Sequence, residues 1–375
     1  MKITDACIFP YPDGDSTVSR MAIEAGELGF DSLVVIGDAG HRLSCAVEIL
    51  QGAIITARSI KEVLRDLRDP AVRRADLVCA DAGDLSFNRA LASTNEVNVI
   101  SKIHATRRNA FDHVAARTAA ERGVAVEISI APLIHLRGMK RQQALNRYAD
   151  ILALHRRYGF MLTLSSAASS ILDQRSVREI RGLCGLFGMT GAEVNEALSS
   201  VGHDRALQSP RGGGQMRPRP PTMRTKRRYI LARILPYGAA VDQKQLYLSV
   251  IEAAASLLGD AAVGLAQPAA VYCDAGYAVI RCRRGAERDI AAALATVTAV
   301  GDDRVSLRTV AASGTIRALR RRMRPIRPIP EDGEITIGER AYAVCRYPGQ
   351  KVDLIEKGIK HQKRFFFSEL DLEER

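Results

Sequence analysis

The first 206 residues alternate between short apolar runs and longer stretches whose apolar positions recur with helical spacing. The runs fall at 3–9 (ITDACIF), 32–37, 47–57, 76–80, 97–101, 124–130 and 160–166, and they are rich in Val and Ile. Continuous runs of that kind suit strands covered on both faces, as in a parallel sheet. Segments 16–29, 109–123 and 139–159 carry the helical period, the last one long and amphipathic. Ser59 with Glu62, and Thr190 with Glu193, have the spacing of capping boxes and mark two helix starts. Seven β/α units with a weak or missing eighth predict a TIM-barrel-like (β/α) domain over 1–205. A doubly wound open sheet stays open as the alternative.

Beyond residue 206 the pattern changes. Residues 206–223 hold three consecutive glycines (212–214) among prolines and arginines, which reads as a basic linker. From 224 to 325 the runs 227–236, 263–273, 277–285 and 304–314 read as strands, with helices at 243–259 and 286–301. That order, β-α-β-β-α-β, predicts an α+β ferredoxin-like sandwich. In YAVIRCR, Tyr277, Val279 and Arg281 take one face of a strand, and Ala278, Ile280 and Cys282 the other. A densely basic helix follows at 315–323. The remainder, 326–375, is a short β-rich tail with two strands around the turn YPGQ. Packing onto the preceding sandwich and docking to another subunit are both open for it.

Charge sharpens this division. Residues 1–206 carry 25 Lys/Arg against 24 Asp/Glu, 207–328 carry 21 against 8, and 329–375 carry 8 against 10. The whole excess of positive charge thus lies in the middle third, the footprint expected of a polyanion binder, with a merely solvated basic surface as the alternative. Seven scattered cysteines form no CxxC pair, no apolar run spans a membrane, and the N-terminus has no signal-peptide core. A cytoplasmic chain is the expectation.

A barrel invites a search for catalysis at the strand ends, where Asp5, Cys7, Asp38, His41, Asp81, Asp84, Glu127 and His135 fall. The seven histidines form no HxH or HExxH pair, and no GxSxG or GxGxxG loop is present. No catalytic residue and no metal ligand is therefore assigned. The sandwich lacks the aromatic RNA-recognition motif, so its arginines are expected to contact phosphates rather than stack on bases.

YPDGD (11–15), DLVCADAGDLSFNRALASTNEVNVIS (76–101), ARTAAERGVAVEISIAPLI (116–134) and RRYGFMLTLSSAASS (156–170) together resemble ribonuclease P protein component 3, the p30-type subunit of archaeal and eukaryotic ribonuclease P. RPPTMRTKRRYI, YAVIRCRR and above all VAASGTIRALRRR (310–322) resemble ribonuclease P protein component 2. The resemblance implies a fusion of two subunits of the ribonucleoprotein that removes the 5′ leader from precursor tRNA. It also implies that hydrolysis belongs to the RNA and its Mg²⁺, with no cofactor held by the protein. The implied partners are ribonuclease P RNA, precursor tRNA and other ribonuclease P protein subunits, with a homodimer formed through the component 2-like part and no membrane. Phosphate contacts are expected from Arg224, Lys226, Arg227, Arg228, Arg281, Arg283, Arg284, Arg317, Arg320 and Arg321, and on the barrel from Arg89, Lys102, Arg107 and Arg178. A metal-dependent phosphoesterase barrel with an RNA-binding appendage is the rival reading.

Overall fold

The computed structural model describes residues 2–37, 46–107, 109–202, 227–324, 333–337, 340–357 and 363–373. The linker expected at 206–223 lies outside them, as do Asp38, His41, Arg224 and Lys226.

The N-terminal part is a parallel sheet of seven strands in sequence order: β1 (Thr4–Ile8), β2 (Ser32–Ile36), β3 (Glu48–Ile55), β4 (Leu77–Asp81), β5 (Val99–Ser101), β6 (Ala125–Ser129) and β7 (Leu162–Ser165). Crossovers run through α1 (Val18–Leu28), α2 (Ile60–Asp66), α3 (Pro70–Arg73), α4 (Leu85–Ala92), α5 (His113–Arg122), α6 (Ala131–His135) and α7 (Gly138–Tyr158). After β7 come α8 (Val177–Cys184) and α9 (Gly191–Ser199). The sheet curls into a nearly closed barrel. Its first and last strands meet through a single bridge, Ile8 to Ala168, and through the Asp5 carboxylate, which accepts from the Ser166 amide at 2.8 Å. Among the described residues there is no eighth strand, and Val201 beyond α9 packs against the small interior cluster of Ala6, Val34, Leu77, Cys79, Val99 and Ala125. Of the two expected capping boxes, Thr190–Glu193 is reciprocal. Ser59 caps its helix, but the Glu62 carboxylate turns to the Arg58 amide instead. Ser176–Glu179 is a further complete box.

The second part has the ferredoxin-like order. Strands β8 (Arg227–Leu235), β9 (Ala269–Asp274), β10 (Tyr277–Arg283) and β13 (Ser306–Ser313) form an antiparallel sheet in the order β13-β8-β10-β9, with a small hairpin, β11 (Ala299–Val300) and β12 (Asp303–Arg304), before the last of them. Helices α10 (Gln243–Leu258), α11 (Asp260–Ala266) and α12 (Glu287–Ala295) cover one face. The run 263–273, read as one strand, is in fact split: its first residues close α11. Gln267 in the left-handed region (φ 48°) and then Pro268 stop that helix before β9 begins. The expected basic helix shortens to α13 (Ile316–Arg320).

The tail is a four-stranded antiparallel sheet rather than two strands: β14 (Glu334–Ile337), β15 (Arg340–Tyr347), β16 (Lys351–Glu356) and β17 (Arg364–Ser368), ending in α14 (Leu370–Glu373). It lies chiefly on the barrel, with a smaller contact to the sandwich through Tyr347 and Lys351 on Tyr237. Backbone bonds run from Phe366 to Asp15 and from Thr17 to Phe366, at 2.9 and 3.0 Å. The Tyr11 ring meets Phe365 and Phe367 edge-on, each at 5.8 Å.

Charged groups at this seam are buried. Arg20 of α1, with no exposed surface, donates to Asp353 (2.9 Å) and to the carbonyls of Val352 and Phe367. Glu24, equally buried, takes Arg20 at 3.3 Å, Lys351 at 3.1 Å and Arg308 of β13 at 2.5 Å. Burial alone would raise the Glu24 pKa, but the three cations, Arg308 foremost, hold it well below the usual range. Barrel, sandwich and tail therefore meet at one carboxylate. Nearby, buried Arg175 donates to the Ala295 carbonyl at the C-terminal end of α12, where a cation suits the helix dipole.

Candidate nucleic-acid interface

Strand pairing assembles the site. The first residues of β8 pair with the last of β10: Arg227 stands opposite Arg283, Arg228 opposite Cys282, and Tyr229 opposite Arg281. On the other side of β8, Tyr229 also stands opposite Ser313, the last residue of β13. Gly314 and Thr315 then turn the chain into α13, whose start Thr315 caps by accepting from the Ala318 amide. One end of the sheet consequently gathers Arg227, Arg228, Arg283 and Arg284, and α13, which carries Arg317, Arg320 and Arg321, starts beside it. The acidic residue among them is Glu287, which takes Arg228 at 3.1 Å and the Gly285 amide at 2.6 Å. Arg227, Arg283, Arg284, Arg317, Arg320 and Arg321 are exposed and have no acidic partner among the described residues. Unpaired, solvated guanidinium groups converging on one edge suit phosphate oxygens, which they meet as bidentate donors.

The barrel positions differ in kind. Arg89 is held by Asp112, the cap of α5, through two contacts of 2.5 and 3.3 Å. Lys102, with φ 53°, is paired with Asp81 at 2.8 Å. Arg107 and Arg178 are exposed, on the loop before α5 and on α8. These four lie on separate elements, whereas the sandwich positions converge. The other strand-end groups are committed internally. Asp84 caps α4, Glu127 accepts from Ser165 and from the Lys102 amide, and His135 lies 3.2 Å from Asp173. Burial raises the Asp5 pKa to about 6 and raises that of Glu127 as well. Among the described residues, no three His, Cys, Asp or Glu side chains gather as a metal site, and no helix is long and apolar enough to cross a membrane.

Sequence comparison decides the family. The model of ribonuclease P subunit p30 matches residues 2–204, and that of the Rpp14/Pop5 family matches 228–324. The chain belongs to both families, joined in one polypeptide. Ribonuclease P protein component 2 of Methanoculleus marisnigri is 74% identical over 160 residues, 43% of this chain and 100% of that protein. Ribonuclease P protein component 3 of Methanothermobacter thermautotrophicus is 34% identical over 204 residues, 50% of this chain and 82% of that protein. A chain in a cryo-EM structure of archaeal ribonuclease P with mature tRNA aligns at 16% identity and a TM-score of 0.44, over 52% of this chain and 87% of that one. The chain is a protein subunit of the ribonuclease P ribonucleoprotein, whose activity matures tRNA 5′ ends. The 160 aligned residues outnumber those of the span 228–324, so the likeness to component 2 extends beyond that span.

Two residues at the basic end were missed by sequence reasoning. Tyr229 and Tyr272 lie on the sheet face opposite the helices, with Leu231, Val279 and Tyr277. Alternation within β8 was the available signal for Tyr229. Tyr272 gave none, because it sits in the apolar run AAVYC, where both faces carry apolar residues and no alternation shows.

Proposed function

We propose that the arginine end of the sandwich binds ribonuclease P RNA and screens its phosphates, favouring the folded catalytic core and lowering its Mg²⁺ requirement. The observation that carries this reading is the convergence of Arg227, Arg283, Arg284, Arg317, Arg320 and Arg321 without acidic partners among the described residues. Hydrolysis stays with the RNA and its Mg²⁺, and the protein holds no cofactor of its own. Precursor tRNA and other ribonuclease P protein subunits are its further partners. Two copies associate through the component 2-like part, in the cytoplasm. Arg89 and Lys102, already ion-paired, contribute less per residue than the sandwich arginines.

The test is precursor-tRNA cleavage at low Mg²⁺ with the protein, its cognate ribonuclease P RNA, and both. Cleavage at the mature 5′ end by the mixture alone is expected, with the triple variant R283A/R284A/R320A needing more Mg²⁺. Metal-dependent cleavage by the protein alone would overturn the reading.

A further inference from the structure

We propose that the half-exposed residues Tyr229, Arg281 and Tyr272, on the sheet face opposite the helices, form a stacking platform for unpaired nucleobases. This rests on the RNA-binding reading above and departs from the expectation that the arginines meet phosphates alone.

The placement follows from register. On β10, Arg281 and Val279 point to the same side. Tyr229 stands opposite Arg281 on one neighbouring strand, and Tyr272 stands opposite Val279 on the other. The bulge between Val279 and Ile280 leaves Val271 as an extra residue, and both Val271 and Tyr272 pack on this face. Two tyrosine rings therefore flank a strip of β10 that carries an arginine between them.

Their environment sets these rings apart from other tyrosines of the chain. Tyr277 is buried, and its hydroxyl meets the Arg324 backbone and the Arg233 side chain. Tyr237 and Tyr347 are buried in the seam, bonded to Lys351 and to a carbonyl. Tyr229 and Tyr272 are half-buried, and neither hydroxyl has a partner among the described residues. Arg281 is half-buried too, with its Nε shielded from solvent and without a partner. A guanidinium in that state stacks on a base as readily as it binds phosphate.

The surroundings select the occupant. Leu319 and Met323, on and just after α13, pack with Leu231, Val279, Ala311 and Tyr277, which are buried, while Tyr229, Arg281 and Tyr272 at the margins stay half-exposed. These margins are bordered by Arg283 and Arg284 on one side and by the arginines of α13 on the other. An aromatic floor with cationic edges fits single-stranded RNA, whose bases can turn inward while its phosphates stay at the rim. A duplex keeps its bases paired and offers only the rim contacts.

The chain contains no tryptophan, so Tyr229→Trp in the full-length protein places one fluorophore on the platform. We expect a ten-nucleotide oligoadenylate to quench its emission by about half or more, and a blunt RNA duplex of ten base pairs to leave it nearly unchanged. Tyr229→Ala and Tyr272→Ala should each weaken oligoadenylate binding about 5- to 150-fold, the span of one stacked base. The slope of log affinity against log salt should stay unchanged in both, whereas Arg283→Ala should reduce that slope. Tyr229→Phe, which keeps the ring, should bind as the unmodified protein does, and the thermal melts of the Phe and Trp variants guard against misfolding. Tight binding of both RNAs with no quenching, or a loss in Tyr229→Phe equal to that in Tyr229→Ala, would overturn the platform and leave the phosphate reading standing. Binding of neither RNA by the unmodified protein would overturn the RNA-binding reading itself.

Discussion

Glu24 is the group through which the three parts of the molecule touch, and its replacement by glutamine is the most informative perturbation of the fold. Glutamine keeps the volume and one acceptor oxygen, so packing is preserved and charge alone is lost. Arg308 would keep the Ile171 carbonyl, Lys351 would keep Glu27 at 2.7 Å, and Arg20 would keep Asp353. Three cations would then share one fewer carboxylate in a site with no solvent. Breaking a buried ionic group by removing one partner costs about 3–5 kcal/mol, which for parts of this size lowers Tm by about 10 °C. Glu27 is half exposed, so Glu27→Gln should cost under about 1 kcal/mol and serves as the control. The assay is thermal denaturation followed by far-UV circular dichroism. A second variant decides the mechanism: Glu24→Gln combined with Arg308→Met removes the orphaned cation and should recover part of the loss. A melt of Glu24→Gln within 1–2 °C of the unmodified protein, or strict additivity in the double variant, would refute the reasoning.

Other consequences are equally direct. Asp5 has a folded pKa of about 6 against 3.8 unfolded; the folded state binds its proton more tightly, so its contribution to stability falls as pH rises from 3.8 to 6 and is flat above. Asp5→Asn should match the unmodified protein near pH 4 and exceed it by up to about 3 kcal/mol at pH 8, read from urea melts at both pH values. A protease site placed within residues 209–216 and cut after folding should leave two fragments that co-elute in gel filtration, because the seam and not the linker holds them; separation at neutral pH would refute that. Arg283→Ala and Arg320→Ala should each reduce the salt dependence of binding to ribonuclease P RNA by about 0.7–0.9 log units per log of salt, whereas Arg89→Ala should change it less.

Much of this architecture is legible in the chain. The barrel's buried strands read as unbroken Val/Ile runs, and the sandwich order follows from its alternation. The basic end is legible too, because arginines cluster at 281–284 and 317–322 in sequence as well as in space. What escapes is information carried by register. The split of 263–273 depends on one left-handed residue, Gln267, before a proline. The placement of Val271 and Tyr272 on the same face depends on a one-residue bulge. The seam was invisible for a different reason. Arg20, Glu24, Lys351 and Asp353 look like ordinary surface charges, and partners more than three hundred residues apart leave no local pattern. Nor does a tally of basic residues separate Arg283, which is solvated, from Arg89, which is bound by Asp112.

The C-terminal sheet has a consequence for synthesis. Strand β17 and α14 seal residues 15–19, the entry to the first helix: Phe366 bonds to Asp15 and Thr17, and Asp371 accepts from Thr17 and Ser19. Helix α1 thus waits for residues more than three hundred positions later before its buried Arg20 finds the Asp353 carboxylate. A nascent chain stalled anywhere short of β16 keeps Arg20 and Glu24 without Lys351 and Asp353, and the Tyr11 ring without Phe365 and Phe367. A copy without the C-terminal sheet leaves that seam open. Closure of that seam therefore needs the barrel, the sandwich and the C-terminal sheet together, and one chain supplies them in equal number.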